Sequence, residues 1–468
     1  MTERMTKACP TCQKLKARVA ELEAELAKAR KDSTTSSKPP SSDIVKPPPG
    51  GQSSGRRRQD RKQRRQGGQP GHPRHVRPAF PPEQIDQTRE YRLDECPDCG
   101  GALEDDADSA ARVIQQVEMV ARPVHVTEHR GLAQWCDTCQ KVHQAPLPRK
   151  VCQAGLVGPR LTALVAYLKG ACHASYSTVA KFLQDVVGIT LSRGQLAKLV
   201  QKVSAGLEVS YEQLLARLPG ENRLNVDETG HPEQKQRLWT WAFRAELFTL
   251  YRIDPSRGSD VLIEVLGREF NGVLGCDYFS AYRKYMKDFH VALQFCLAHL
   301  IRDMKFLAKH PHRGNRRYGE LLLGHMRKLF GAIHRREQFA SEASFLRELA
   351  KIRNALVGDA IAELPRTREA GNLADRFVND YDGYFRFITT PGVAPTNNLA
   401  EQAIRFVAIH RRITHGTRGE RGRRWCERIW TVIATCGQQE RSVFEFVYQT
   451  VQAHFQGRRA PSLVPNTS

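Results

Sequence analysis

Three acidic residues, separated by long stretches of chain, are the residues best suited to chemistry. Asp227 lies in a short strand-like run, and Asp277 ends a second apolar run. Neighbouring strands of one sheet can bring two such carboxylates together, and Glu401, near the start of a later helix, supplies a third. Carboxylate oxygens of this kind hold Mg²⁺ or Mn²⁺. Two such ions, roughly 3.5–4 Å apart, can activate an attacking oxygen and stabilise a leaving one, which is phosphodiester cleavage and joining.

Two alternatives remain open at these positions. Either aspartate alone is equally consistent with a turn, because strands often end in Asp. Glu228 also competes with Asp227, but adjacent strand residues face opposite sides, so only one can point at the metals. We choose Asp227.

The elements that must position the acids follow from periodicity. Trp239, Trp241 and Phe243 alternate with polar residues and predict a strand, as do the runs 247–253 and 272–278. A long stretch of about 300 to 385, rich in Lys and Arg, predicts helices. Thr396 or Asn397 is the expected N-cap of the helix that carries Glu401. The order of elements predicts an α/β chain.

Basic residues gather in two places and predict contacts with DNA phosphates. One is a run inside a linker rich in Pro, Gly and Ser, where a solvated hinge is the alternative reading. The other is a strip that follows Glu401. The predicted DNA-binding residues are Arg56, Arg57, Arg58, Arg61, Lys62, Arg64, Arg65, Arg405, Arg411, Arg412, Arg418, Arg421, Arg423 and Arg424.

The chain has 12 cysteines, and some of them fall in Cys-x-x-Cys pairs. Cys96 and Cys99 with Cys136 and Cys139 predict a closed, structural Zn²⁺ site without a position for catalytic water. The residues between the pairs, 112–130, alternate as strands do. The pair Cys9 and Cys12 has no second pair nearby and stays unassigned. Cys296 and His299 form a Cys-x-x-His step, either a metal ligand pair or, more often in proteins, a core Cys and a helix-face His.

Two helical patterns precede the acids. Leu15, Val19, Leu22 and Leu26 form an apolar seam that predicts a short dimerising coiled coil or a helix that pairs only when other contacts hold two chains together. A helix from Ser175 to Val187, a turn through Gly188 and a helix that begins after the N-cap Ser192 resemble a helix-turn-helix. Ordinary helical bundles show the same pattern.

Size and charge set limits on the class of protein. A length of 468 residues allows about two to four domains. The net charge of +22 favours a polyanionic partner and salt-dependent binding. We find no signal-peptide core and no apolar run of the length of a membrane span, and we expect a cytoplasmic protein associated with the nucleoid and without a membrane partner.

Seven stretches spread along the chain resemble the insertion-sequence 66 family, a branch of the DDE transposases. They are SSKPPSSD at 36–43, GGQPGH at 67–72, CPDCGG at 96–101, VDETG at 226–230, DYFSAY at 277–282, CLAH at 296–299 and NNLAEQAIR at 397–405. The resemblance implies that Asp227, Asp277 and Glu401 are the catalytic triad on an RNase H-like core. It also implies a helical insertion between the second and third acids. The family usually has Arg after the glutamate; Gln402 stands here and puts only a neighbouring contact in doubt.

The combined prediction is a multidomain transposase with an RNase H-like core. The expected parts are a coiled-coil helix (1–31), a basic linker (32–82), a zinc module (83–150), a helix-turn-helix-like domain (151–219), a catalytic core (220–435) with an insertion at about 300–390, and a C-terminal helix and tail (436–468). The expected partners are transposon ends and target DNA, a second copy of the chain or a larger assembly, and, by resemblance, two accessory proteins of the same element. The alternatives are a zinc-dependent DNA-binding regulator with an inactive nuclease core and a structure-specific nuclease of the same fold.

Overall fold

The computed structural model describes residues 10–29, 31, 78–90, 93–94, 97–101, 113–117, 119–120, 123–234 and 236–465. The basic run 56–65 and residues Cys9 and Cys96 lie outside this part. The chain divides into two compact units, one of residues 1–51 with 128–468 and one of residues 52–127. The boundaries predicted near 150, 219 and 435 therefore lie inside a single unit.

A five-stranded sheet forms the centre of the larger unit. Its strands are β3 (Arg223–Glu233), β4 (Gln236–Arg244), β5 (Thr249–Asp254), β6 (Val273–Cys276) and β7 (Ala292–Phe295). Their order in the sheet is β5-β4-β3-β6-β7, with antiparallel pairing from β3 to β5 and parallel pairing from β3 to β7. The predicted strands and the mixed α/β architecture are confirmed.

A separate two-stranded hairpin holds the second cysteine pair. It consists of β1 (Ala133–Cys136) and β2 (Lys141–Gln144). Within the described residues between 113 and 132, no strand is present, so the strands expected over 112–130 are wrong in that part. The valines there are exposed, for example Val113, Val117 and Val126, and alternation without a partner strand does not form a ladder.

Helices from both halves of the chain surround the sheet. In chain order they are α1 (Pro10–Ala29), α2 (Arg149–Ala154), α3 (Pro159–Gly170), α4 (Tyr176–Phe182), α5 (Arg193–Arg217), α6 (Ser259–Leu266), α7 (Ser280–Phe289), α8 (Leu297–Ala308), α9 (Arg313–His334), α10 (Glu342–Ala362), α11 (Arg368–Asn379), α12 (Tyr381–Thr389), α13 (Asn398–Thr414), α14 (Glu420–Gln438) and α15 (Val443–Gln456). Helices α8 to α12 fill the interval predicted to be helical. Of these helices, α5, α7, α12, α13 and α14 pack on the strands of the sheet. Helix α13 packs on β3 and β4, and α14 packs on β5.

The edge strand β5 is closed by one face of α14. The hydroxyls of Thr435 and Thr431 accept hydrogen bonds from the backbone N–H groups of Thr249 at 3.3 Å and Tyr251 at 3.0 Å, and Glu427 accepts one from Ile253 at 2.7 Å. Four residues of helix advance about 6 Å, nearly the advance of two strand residues, so the two spacings match. The backbone N–H groups at this sheet edge would otherwise lack acceptors, and the side chains of α14 supply them.

The helical pair predicted before the acids is present, and its second helix starts at the expected N-cap, Ser192. Ser175 accepts a hydrogen bond from Thr178 N at 3.0 Å, and Ser192 and Gln195 form a reciprocal capping box. Gly188 makes the turn with φ of 76°. The first helix ends earlier than predicted, at Phe182, and continues as a π-helical turn. Helix α5 buries one face against α3, α14 and α15, which makes it a core helix of the unit.

One segment is long and apolar enough to cross a membrane, although the sequence analysis predicted no membrane span. It covers Arg149–Gly170. The segment is not a continuous helix, because α2 ends at Gly155 with φ of 68° and α3 begins after Gly158. The apolar residues Ala163, Val165 and Ala166 are buried, and α3 packs on α5 and α15. These contacts are those of a core helix in a folded unit.

The N-terminal helix α1 contacts the insertion at its C-terminal end. The Lys28 ammonium lies 3.0 Å from the Glu369 carboxylate, and the Lys31 ammonium lies 3.9 Å from the centroid of the Phe306 ring. The apolar seam predicted for pairing is exposed along this helix, at 61% for Leu15 and 53% for Val19. The helix is confirmed, and its pairing with another chain stays a prediction.

Candidate active site

The register of the parallel strands brings the two aspartates side by side. Arg223 pairs with Val273 and Asn225 with Gly275. Continued by two residues, the same register places Asp277 beside Asp227. Strand β6 ends at Cys276, so both side chains lie where the parallel ladder stops. Asp227 lies in the middle of β3 rather than near its end as predicted, because β3 runs on to Glu233 as the partner of β4.

The third acid is placed by a buried asparagine. Asn397, which is 1% exposed, precedes α13, and its side chain forms hydrogen bonds with β3. Its amide donates to the Val226 carbonyl at 2.8 Å, and its carbonyl accepts from the Asn225 amide at 2.8 Å. These bonds fix the start of α13 against Asn225 and Val226 of β3. Glu401 follows one turn later, near enough for its charge to raise the pKa of Asp227.

Burial and neighbouring negative charges raise the pKa of both aspartates. Burial raises the pKa of Asp227 well above its usual range, and the charges of Glu228, Asp277 and Glu401 raise it further. Burial and the Glu228 charge raise the pKa of Asp277 to about 6, with a smaller contribution from Glu401. Like charges held close together repel each other, and a bound divalent cation would remove that repulsion.

Glu228, the rival acid, has a structural role. Its Oε1 accepts hydrogen bonds from the Arg257 guanidinium at 2.7 and 2.9 Å, and its Oε2 accepts one from the Tyr282 hydroxyl at 2.5 Å. Arg257 in turn lies 3.8 Å from the Phe279 ring centroid. Asp227 accepts a backbone hydrogen bond from Glu228 N at 2.9 Å. Tyr282 is fully buried.

Cys296 and His299 lie beside the third acid. His299 Nε2 is 3.6 Å from Glu401 Oε1, and Arg302 Nη2 is 3.8 Å from Glu401 Oε2. Burial, with the charge of Arg302, lowers the pKa of His299 to about 4, so the imidazole is neutral at pH 7. The sequence left two readings of the Cys-x-x-His step, and the structure places it against Glu401.

The predicted basic strip divides into two groups. Arg411 donates to the Thr229 hydroxyl at 3.1 Å, Arg423 pairs with Glu233 at 3.3 Å and Arg424 pairs with Glu427 at 3.1 Å. Arg411 and Arg423 hold α13 and α14 to β3, whereas Arg424 pairs within its own helix. The exposed members of the strip are Arg405, Arg412, Arg418 and Arg421.

The second cysteine pair has the local geometry of a metal-binding turn. Hydrogen bonds from Cys139 and Thr138 lower the pKa of the Cys136 thiol, which favours the thiolate. Cys139 Sγ also lies 3.1 Å from His143 Nε2. Cys99 is an exposed free thiol of the smaller unit, and Cys96 lies outside the described residues. The four-cysteine zinc site stays a prediction.

Sequence reasoning missed the residues that orient the acids. Asn225 and Asn397 bridge a strand to a helix across 172 positions of sequence, and Arg257 and Tyr282 bind Glu228. A usable signal was present at one of them. Asn397 is a natural N-cap, and it makes no side-chain capping bond, so its side chain is available for another partner.

Comparison with known proteins identifies the family. Residues 154–424, more than half of the chain, match the family described as Transposase IS66 family, and residues 5–78 match a family of unknown function, DUF6444. The chain is 25% identical over 404 residues to uncharacterized protein y4hP of Sinorhizobium fredii (strain NBRC 101917 / NGR234), a match that covers 77% of this chain and 71% of the relative. Uncharacterized protein y4qI of the same organism is 25% identical over 68% of this chain and 63% of its own length. The chain therefore belongs to the IS66 family of transposases.

Proposed function

We propose that this protein is a DNA transposase that binds terminal inverted repeats, cleaves the 3′ ends of its element and joins them to target DNA. Family membership supports a transposase role with DNA as partner and divalent-metal use. The observation that supports the finer proposal is the parallel register that places Asp277 beside Asp227, together with a Glu401 charge close enough to raise the pKa of both aspartates. The order β5-β4-β3-β6-β7, antiparallel on one side and parallel on the other, supports an RNase H-like core.

The three carboxylates fit Mg²⁺ or Mn²⁺. All donors are oxygens, as these hard ions prefer. Two bound ions would activate the attacking oxygen and stabilise the leaving oxygen of a phosphodiester. Asp227 and Asp277 are held by the parallel strands, and Asn397 holds Glu401 near them. The reaction first uses water to release a 3′-hydroxyl, which then attacks a target phosphate and displaces its 3′-oxygen.

Positive charge would hold the DNA across this point. The exposed arginines lie close together in the chain: Arg405 on α13, Arg418 on the loop after it and Arg421 on α14. The basic run 56–65 would add further phosphate contacts. Contacts of this kind fix position without reading sequence, and they make binding depend on salt.

Recognition of the element ends would come from parts that precede the sheet. We assign it to the zinc module and to α4 and α5, where Arg193 and Lys198 are exposed at the start of the second helix. The exposed seam of α1 would pair two chains, because transposition joins two ends. Two small accessory proteins of the same element would complete the assembly, in the cytoplasm at the nucleoid.

The test is Mn²⁺-dependent cleavage and joining of DNA that carries the element's ends. Wild type is compared with Asp277→Asn and with Glu320→Gln, a matched acid-to-amide change at an exposed position of α9. We expect cleavage and joining in wild type and in Glu320→Gln, and neither in Asp277→Asn, with DNA binding unchanged in all three. Tight binding without cleavage in any protein would instead identify a regulator, and nicking without joining would identify a structure-specific nuclease.

A further inference from the structure

Cys296, His299 and Glu401 meet where two helices begin. Cys296 ends β7, where its N–H donates to the Cys276 carbonyl at 2.8 Å, and it is the N-cap of α8. His299 follows in the first turn of α8, on the side that the cysteine faces. Asn397 N donates to Cys296 Sγ at 3.1 Å, which holds the start of α13 and hence Glu401 against the same turn.

Two buried polar atoms of this group lack a hydrogen-bond partner among the described residues. One ligand atom from each residue lies within 4.8 Å of the other two. His299 Nδ1 and Glu401 Oε1 are both buried and make no hydrogen bond within the described structure. Buried polar atoms are rarely left without a partner, so two of them in a group of three potential ligands indicate that an ion belongs there.

The donor set selects a different class of ion from the one expected at the aspartates. Sulfur, imidazole nitrogen and one carboxylate oxygen suit a borderline-soft ion such as Zn²⁺, with water in the fourth position. Mg²⁺ and Mn²⁺ prefer the all-oxygen set of Asp227, Asp277 and Glu401. The nearest cation is Arg302, which lies 3.8 Å from Glu401 Oε2 rather than Oε1.

We propose that Cys296, His299 and Glu401 form a zinc-type site that competes with the catalytic centre for Glu401. The inhibitory part rests on the function proposed above. On binding, the Cys296 thiol releases its proton to solvent, and its sulfur, His299 and Glu401 Oε1 donate to the ion. The glutamate is then held toward α8 and is not available to Mg²⁺ or Mn²⁺ beside the aspartates. A rise in free zinc would therefore switch the enzyme off without any change of fold.

The first experiment counts zinc in the full-length chain. Wild type, Cys296→Ser, His299→Ala and the control Cys436→Ser are dialysed against the same buffered free Zn²⁺, and bound zinc is measured by atomic emission. Cys436 is buried in α14 and is a matched loss of a core thiol. We expect one zinc fewer per chain in Cys296→Ser and His299→Ala than in wild type and Cys436→Ser. Equal counts in all four would overturn the site and indicate that water fills it.

The second experiment separates this site from catalysis. Mn²⁺-dependent cleavage is measured at increasing Zn²⁺ in wild type, His299→Ala and Cys436→Ser. We expect the zinc concentration for half-inhibition to rise at least tenfold in His299→Ala only. Equal inhibition in all three would refute the competition. Since the zinc count does not depend on cleavage, an inactive wild type would contradict the proposed function and leave the metal site standing. Circular dichroism checks folding, and His299→Gln serves if His299→Ala does not fold.

Discussion

Two consecutive helices, α13 and α14, pack on the same sheet and carry glutamates with opposite surroundings. Glu427 on α14 is 1% exposed, accepts the Ile253 N–H and pairs with Arg424. Glu401 on α13 is half-buried, and its Oε1 has no hydrogen-bond partner within the described structure. A carboxylate with its partners in place supports the fold, whereas one without them is available to a ligand. The hydrogen-bond partners of a buried acid thus distinguish a structural carboxylate from one that can bind a ligand, without reference to sequence motifs.

The largest difference should appear when Glu401 is neutralised. Glu401→Gln removes a metal-binding charge and relieves repulsion with Asp227 and Asp277. We expect strand cleavage to fall at least about 10³-fold, about 4 kcal/mol in the activation barrier. We expect the free energy of unfolding in urea to stay the same or to rise. A loss of stability with retained cleavage would place Glu401 in the structural group.

The reverse result is expected for Glu427. Glu427→Ala leaves the Ile253 N–H buried without an acceptor, and it removes the partner of Arg424. We expect the free energy of unfolding to fall by about 3 kcal/mol, since the lost acceptor is charged. Cleavage per folded molecule should stay the same, measured below the unfolding temperature. A variant that is stable but inactive would contradict the structural role of Glu427.

The contact between the two helices should respond to acid through buried histidine. His231 on β3 is 1% exposed, lies near Glu233, Arg411 and Arg423, and burial lowers its pKa to about 4. As the pH falls, this imidazole binds a proton near pH 6.5 in the unfolded chain but only near pH 4 in the folded protein. Protonation therefore favours the unfolded chain. The resulting loss of stability is absent above about pH 6.5 and grows as the pH falls toward 4.

We expect a loss of roughly 2 kcal/mol from this residue between pH 7 and pH 5. The raised pKa of Asp277 has the opposite effect on stability, because protonation of this carboxyl favours the folded protein as the pH falls. The contribution of His231 is therefore the difference in pH dependence between wild type and His231→Gln, measured by urea unfolding. Parallel curves for the two proteins would show that the imidazole is not held neutral.

The smallest effect concerns the threonines of the two helices. Thr431 on α14 accepts the Tyr251 N–H, whereas Thr414 on α13 donates to the His410 carbonyl of its own helix at 2.9 Å. Thr431→Val should cost about 1 kcal/mol because a buried strand donor loses its acceptor. Thr414→Val should cost less. Thermal unfolding of both variants checks the order, and an equal cost would mean that α14 does not close the sheet edge.

Much of the local structure could be predicted because its causes act within a few residues. Alternation predicted β4 and β5, and Ser192 marked the start of α5 as an N-cap. The wrong prediction over 112–130 has the same origin, since alternation describes a strand's faces and says nothing about a partner. The early end of α4 at Phe182 likewise depends on packing rather than on helix propensity.

The sequence by itself determined which residue types could do the chemistry: two acids after apolar runs, a third at a helix start, and a basic strip beyond it. Only the tertiary structure decided that Asp227 and Asp277 share a register, that Asn397 fixes the start of the Glu401 helix against β3, and that Arg411 and Arg423 bind β3 rather than solvent. It also decided that Glu228 is bound by Arg257 and Tyr282. The physical reason is range: periodicity and capping are local, whereas strand register and buried hydrogen bonds join residues far apart in the chain.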